Sequence, residues 1–400
     1  MENVLIFASE KEVRFTKLLK FIVPTYLTSL FNTVYTIIDG IFVSTYVGTN
    51  ALASINIVYP IVNVLTGIAL VFATGGSAVT ALHIGGNRKK EADRSFSVSS
   101  FAAILLGCLV SLMILTNLSA ILTMLGATPV TIAGCKTYAR WWLLAAPVVI
   151  GKELFTYFIR VDGAPTYSFT TALSGGILNI VLDYILVGQM RMGIYGAALA
   201  TILGSTVACL MSIRSILPHD TYLHIRLRDK WRLDKETLGS IWKISYSAVI
   251  EQLFMRIGFF TYVRIVAGLG TIAFATHQIC MNVINLSFSF GDGFSIAIAS
   301  LVGQSLGAKR PDMAKLYVKV NKVLLYAISG TLSVIFVVFR YQIIGLFTDE
   351  AAIITEAGTL MLIIAATTVI QTSALSYTGC LRGAGDARYI AITAFISIAI

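Results

Sequence analysis

Between Phe21 and Gly86 the chain carries one formal charge, Asp39. A soluble domain places a charged residue at roughly every fourth position, so a stretch this long and neutral has to be solvated by hydrocarbon. It is long enough to cross about 30 Å of lipid twice as a helix. Lipid supplies no partner for backbone N–H and C=O groups, which leaves only helices or closed barrels. Barrel strands would show short alternating segments, and the sequence instead continues with unbroken apolar windows such as Ile55 to Leu82 and Phe101 to Leu125. With 56% apolar residues, 12% charged residues and a mean hydropathy of +0.82, the expected fold class is an all-α polytopic membrane protein.

Ten complete spans are expected, near 17–46, 52–82, 95–119, 134–160, 166–188, 194–217, 238–267, 273–304, 317–344 and 353–380, with part of an eleventh at 388–400. The basic N-terminus is not followed by a short apolar core and a small-residue cleavage site, so no signal peptide is expected. The net charge of +10 could suggest nucleic acid, but its placement argues otherwise. Twenty-three Lys and Arg residues fall on alternate connections, among them Lys11 to Lys20, Arg88 to Arg94, Arg214 to Lys243 and Lys309 to Lys322; four fall on the opposite side, Lys136, Arg140, Arg191 and Arg340. By the positive-inside rule this predicts a multi-pass protein of the cell membrane with a cytoplasmic N-terminus and no nucleic-acid partner. Cys108, Cys135, Cys209, Cys280 and Cys380 are isolated in or beside apolar runs, without metal or redox spacing.

A shift of 222 residues aligns the chain with itself. "GTNALASINI" at 48–57 meets "GTIAFATHQI" at 270–279, and Arg88, Arg160, Gly163 and Tyr167 meet Arg310, Arg382, Gly385 and Tyr389. An offset of six spans keeps both copies in the same orientation, as in transporters built from parallel repeats. The expected organisation is two pseudo-symmetric six-helix lobes, 1–215 and 236–400, joined by a polar cytoplasmic connection, 216–235. On this alignment Ile400 matches Leu178, so the second lobe is expected to be truncated in its fifth helix.

An acid inside a span costs about 2.5–3.5 kcal/mol on insertion scales and marks function by default. Asn32, Tyr35 and Asp39 share one helical face by their i, i+3, i+7 spacing, and Asn179 and Asp183 share another by i, i+4. Two acids with amides on their own stripes suggest one internal site that holds a shared proton or, with amide and hydroxyl oxygens, Na⁺. The competing readings put Asp39 in a helix-end turn with Gly40 and Asp183 at a span end near Gly188. Pro24, Pro60 and Pro147 lie in or near first-lobe spans while their repeat partners Tyr246, Asn282 and Val369 are not proline, so the first lobe is the expected site of bending. In the second lobe Glu251 and Asp292 form a possible further site; Glu251 could instead pair with Arg256, and the GDG setting of Asp292 could mark a helix break. Lys152 and Glu153 are neighbours in sequence and are expected to point apart. His83, His219, His224 and His277 show no ligand spacing, and no catalytic or nucleotide-binding motif is present, so no enzyme activity, resident metal or cofactor is expected.

Several motifs together, "IIDGIFVSTYVGTNALASI", "GGNRKKEA" with its copy "GAKRPDMA", "IRVDGAPTYSFTTALSGGILNIVLDYILV", "GIYGAALATILG" and "LRGAGDARY", make the chain resemble the multidrug and toxic-compound extrusion (MATE) transporters. The resemblance implies a proton or Na⁺ site in the first lobe at Asp39, Tyr35, Asn32, Asn179 and Asp183, with Tyr138 and Thr201 nearby, and makes Pro24 the bend of the first helix. Some members carry an acid in the seventh helix; Glu251 lies about a turn early for it, with Met255 at the expected place. The implied function is antiport of organic, often cationic, compounds against H⁺ or Na⁺ by a monomer in the lipid bilayer. The alternative is a flippase for lipid-linked oligosaccharides, which should present a basic cavity.

Overall fold

The computed structural model describes residues 15–216, 223, 234–268, 271–345, 347–348 and 350–399. His219, His224 and most of the 216–235 connection lie outside the described residues, as do the side chains of Met255 and Arg256. Helices account for the regular structure, with no strand among the described residues, as a chain solvated by lipid requires.

In chain order these are α1 (Phe15–Tyr46), α2 (Thr49–Gly85), α3 (Lys89–Thr116), the short α4 (Leu118–Met124), α5 (Ile132–Leu144), α6 (Ala146–Val161) and α7 (Pro165–Leu182). A π-helical stretch, Asp183–Gln189, extends α7 and is followed by α8 (Gly193–Ile216). Then come α9 (Lys235–Ala267), α10 (Thr271–Gly307), α11 (Pro311–Val338), the short α12 (Arg340–Gly345), α13 (Ala351–Ala384) and α14 (Ala387–Ala399). Among the described residues eight helices are long and apolar enough to cross a membrane, or nine if α5 and α6 are one bent span. The expected span at 238–267 is the helix α9, but Glu251, Arg256 and Arg264 interrupt its apolar character, and it is not among the eight. The expected span at 134–160 is a pair of helices meeting at 57°. Pro147 starts α6; its missing N–H and its ring clash with the preceding turn explain why the helix cannot run through. The basic residues Lys89, Lys90 and Arg94, read as loop, lie in the first turns of α3, and Lys315, Lys319 and Lys322 lie in α11. These helices start before their apolar segments do.

Several features recur 222 places apart. α2 and α10 are both 37 residues long, and α3 and α11 are both 28. Asn87 (φ 54°) matches Lys309 (φ 57°), and Gly163 (φ 90°) matches Gly385 (φ 76°). A left-handed residue thus ends the corresponding helices in each half.

The chain divides into two compact units. One includes Phe31–Ser245; the other joins the described part of Ile6–Leu30 with that of Tyr246–Ile400. The N-terminal half of α1, which holds Pro24, therefore clusters with the second unit. There Tyr26 stacks on Phe290, ring centres 4.1 Å apart, and its backbone is so near Gly293 that a Cβ there would lie 2.7 Å from the Tyr26 Cα. The first unit has a continuous apolar core that includes Leu65, Phe96, Ile150, Phe158 and Ile159. The second has a core around Cys280, Phe336, Ile344 and Met361. Many large apolar side chains, including Leu109, Leu112 and Met113, are exposed, as lipid-facing positions are in a bilayer protein.

Candidate ion-coupling site

The first unit brings α1, α5, α7 and α8 together around a group of polar side chains. Close approach is built into α7 and α8: a Cβ on Gly175 would lie 2.7 Å from the Gly204 carbonyl oxygen, and one on Gly204 would lie 2.5 Å from that of Gly175. Small residues let membrane helices pack backbone to backbone, and Asn179 of α7 and Thr201 of α8 then share one cavity. On the other side of α7, Gly176 admits the rings of Phe31 and Tyr35 from α1.

Asp39 lies within α1, which stays helical to Tyr46, so the helix-end turn with Gly40 is not formed. Asp183 stands at the boundary where α7 gives way to the π-helical stretch. A π turn inserts one residue into the helical register and occurs frequently at functional sites. The Asp183 side chain is enclosed at 0% exposure, and its carboxyl group meets that of Asp39 within hydrogen-bonding reach. Asn179, 3% exposed, adjoins Asp183. None of these contacts is a well-formed hydrogen bond: both carboxylate oxygens of Asp183, Oδ1 of Asp39, Oδ1 of Asn32 and both amide atoms of Asn179 are buried without a partner. Two ionised carboxylates in contact, with neither donor nor cation, would be strongly unfavourable. The arrangement calls for a proton or a cation.

Tyr138 of α5 is buried close to Asp39, Asp183 and Tyr35, with the Trp142 ring 6.2 Å away. Thr201 donates to the Ala197 carbonyl at 3.0 Å and lines the cavity. That cavity is bounded by Asn32, Tyr35, Lys152, Asn179, Thr201 and Ser205 with small residues between them. About 10 Å³ of it is open to the centre of a water-sized sphere, room for roughly one water or one bare ion.

For Lys152 the expectation from sequence is corrected. Lys152 and Glu153 do not point apart: Lys152 Nζ lies 3.2 Å from Glu153 Oε1. Adjacent helical positions diverge at Cβ, but two long side chains can bend back to meet. Lys152 Nζ also stands 5.9 Å from the centre of the Tyr35 ring, within cation–π range. The one available signal was a lone basic residue inside an apolar span.

In the second unit Glu251 of α9 pairs with Arg382 of α13, both side chains less than one fifth exposed. Asp292 feels the charge of both. Its helix, α10, runs unbroken from Thr271 to Gly307, so the GDG sequence marks no break. Among the described residues no group of three His, Cys, Asp or Glu side chains is placed to hold a metal ion. Buried His277 sits edge-on to the Tyr262 ring at 4.9 Å.

Comparison with known proteins fits this architecture. The family model MatE matches residues 24–185 and 247–400. The multidrug export protein MepA of Staphylococcus saprophyticus is 26% identical over 99% of this chain and 87% of its own length, and that of Staphylococcus aureus is 25% identical over 100% and 88%. Two crystal structures of MATE, in the bent and the straight conformation, superpose with TM-scores of 0.86 and 0.89 at 22% identity; they cover 94% and 95% of this chain and 84% and 85% of theirs. An outward-facing multidrug resistance MATE family transporter of the MOP superfamily gives 0.88 at 23% identity, over 96% and 86%. A helical membrane fold and a family match across most of the sequence lead to one assignment: the chain belongs to the MATE family of membrane transporters, not to an enzyme family.

Proposed function

We propose that this protein is a multidrug exporter of the plasma membrane, a cation-coupled antiporter that moves organic, often cationic, compounds outward against H⁺ or Na⁺ by alternating access. The observation that carries the reading is the contact between the carboxyl groups of Asp39 and Asp183, with Asp183 fully enclosed and Oδ1 of Asp39 buried beside it. Such a pair takes up a proton or a small cation in one state and gives it up when water enters. The curated relatives named as multidrug export proteins support the cargo class. Exchange of one monovalent cation for one proton moves no net charge, so the pH gradient alone would drive it; otherwise each charge crossing 100 mV is worth about 2.3 kcal/mol.

The alternating basic loops support a cytoplasmic N-terminus, and the recurrence of helix lengths and left-handed residues at 222 places supports two parallel-repeat lobes. The working unit is taken to be a monomer. The flippase alternative asks for a basic cavity that would hold a pyrophosphate, whereas in the first unit two carboxyl groups, those of Asp39 and Asp183, meet.

The test is efflux of a fluorescent cationic dye from cells expressing the chain, comparing wild type with Asp39→Asn, with and without Na⁺. The reading expects export by the wild type and none by the variant. Equal export by both would remove Asp39 from the mechanism, and transport of lipid-linked sugar in place of dye would replace the reading altogether.

A further inference from the structure

The first unit's cavity already contains a cation. Lys152 of α6 lines it together with Tyr35; Lys152 Nζ is held 3.2 Å from Glu153 Oε1 and 5.9 Å from the centre of the Tyr35 ring, and its side chain is 15% exposed. The oxygens that would suit Na⁺, from Asn32, Asn179 and Thr201, line the same small space, and the side-chain oxygens of Asn32 and Asn179 have no partner. Na⁺ wants several oxygens around it with no competing positive charge. Here there is room for about one ion, and an ammonium group shares the walls. Two cations so close in a medium of low dielectric repel strongly. A proton on the carboxyl pair is different: it neutralises a negative charge and needs no space or oxygen cage.

We infer that the Lys152 ammonium acts as a fixed internal cation in this cavity, taking the place a sodium ion would need and leaving the proton as the ion exchanged at Asp39 and Asp183. Lys152 is then an ion-specificity residue for the coupling proposed above, and the inference rests on that reading. The repeat position of Lys152 is Ala374, so no second lysine plays this part in the other half.

The experiment measures binding of ²²Na⁺ to the purified full chain, displaced by unlabelled NaCl but not by choline chloride. Wild type and Lys152→Arg are expected to show no displaceable Na⁺ binding. Lys152→Met, which opens the space and removes the charge, is expected to gain it, with affinity at least about tenfold above wild type. Because that variant leaves Glu153 without its partner and could fold poorly, Lys152→Met combined with Glu153→Gln is measured beside it and should behave alike. Na⁺ binding by wild type overturns the inference, and so does its continued absence from a folded Lys152→Met or double variant. The readout does not depend on transport: failure of dye export with the binding pattern intact would count against the antiporter reading alone.

Discussion

Asp39 and Asp183 in the first unit and Glu251 in the second are held on opposite terms. In the first, Asp183 is fully enclosed beside Asp39, and three of their four carboxylate oxygens are buried with no partner. In the second, Glu251 is matched by Arg382, and Asp292 stands close to both. The contrast is sharper because each unit has an arginine in the same register. Arg160 and Arg382 are 222 places apart, each three residues before a left-handed glycine. Arg382 meets an acid. Arg160 gives its Nε–H to Ser168 Oγ at 3.1 Å and packs 5.4 Å from the Tyr157 ring centre, with no ion pair formed among the described residues. A paired acid is settled and holds helices together; an unpaired one must exchange something. The second unit's ion pair thus fits a structural part, and on the proposed reading the first unit's acids fit ion exchange.

Four substitutions separate these roles. The largest effect on transport is expected from Asp183→Asn, which removes a titrating group and should cut dye efflux about a hundredfold, or about 2.7 kcal/mol, while leaving the melting temperature in detergent equal or higher, since an unpartnered buried acid becomes neutral. Arg382→Met should do the reverse to stability. It strands Glu251 and is expected to cost about 3–5 kcal/mol, seen as a marked drop in melting temperature, which Glu251→Gln in the same chain should largely restore. If the pair could be broken without loss, the contrast between the units would disappear. Gly175→Ala should be milder, about 1–3 kcal/mol, because its Cβ meets the Gly204 carbonyl and pushes α7 from α8; efflux should fall with stability as the cavity is misaligned.

The smallest effect lies outside the membrane. Asp234 accepts from Thr237 N–H at 2.8 Å and pairs with Arg94 at 2.9 Å. These contacts, the Thr237 hydroxyl first, hold its carboxyl below the usual carboxylate range. A depressed value contributes stability above about pH 4, the unfolded carboxylate value, and loses it as pH falls through the lowered one. Asp234→Ala should therefore lower the melting temperature slightly at pH 7, and the difference from wild type should close on acidification.

Much of this was legible in the sequence because hydrocarbon is a strict solvent. Long uncharged runs could only be helices, and the 3.6-residue period put Asn32, Tyr35 and Asp39 on one face before any coordinates. The bend after Leu144 was announced by Pro147, but a proline in a membrane span can also be accommodated, so its presence alone did not fix a break. The π-helical stretch that starts at Asp183 carries no sequence signature. Lys152 was expected to point away from Glu153 but meets it, because helical geometry says where adjacent Cβ atoms point, not where four further bonds can carry an ammonium. α9 is the converse case, a long helix whose charges dilute the apolar signal that the other spans give.

The contrast between the units turns on whether Asp39 and Asp183 exchange an ion when cargo binds. The most direct measurement is proton release from purified protein in weakly buffered detergent solution as a cationic dye is added. The wild type should release protons in step with dye bound, and Asp183→Asn should bind dye with no release. Equal release from both, or dye binding by the wild type without any, would show that the buried pair is not where exchange takes place.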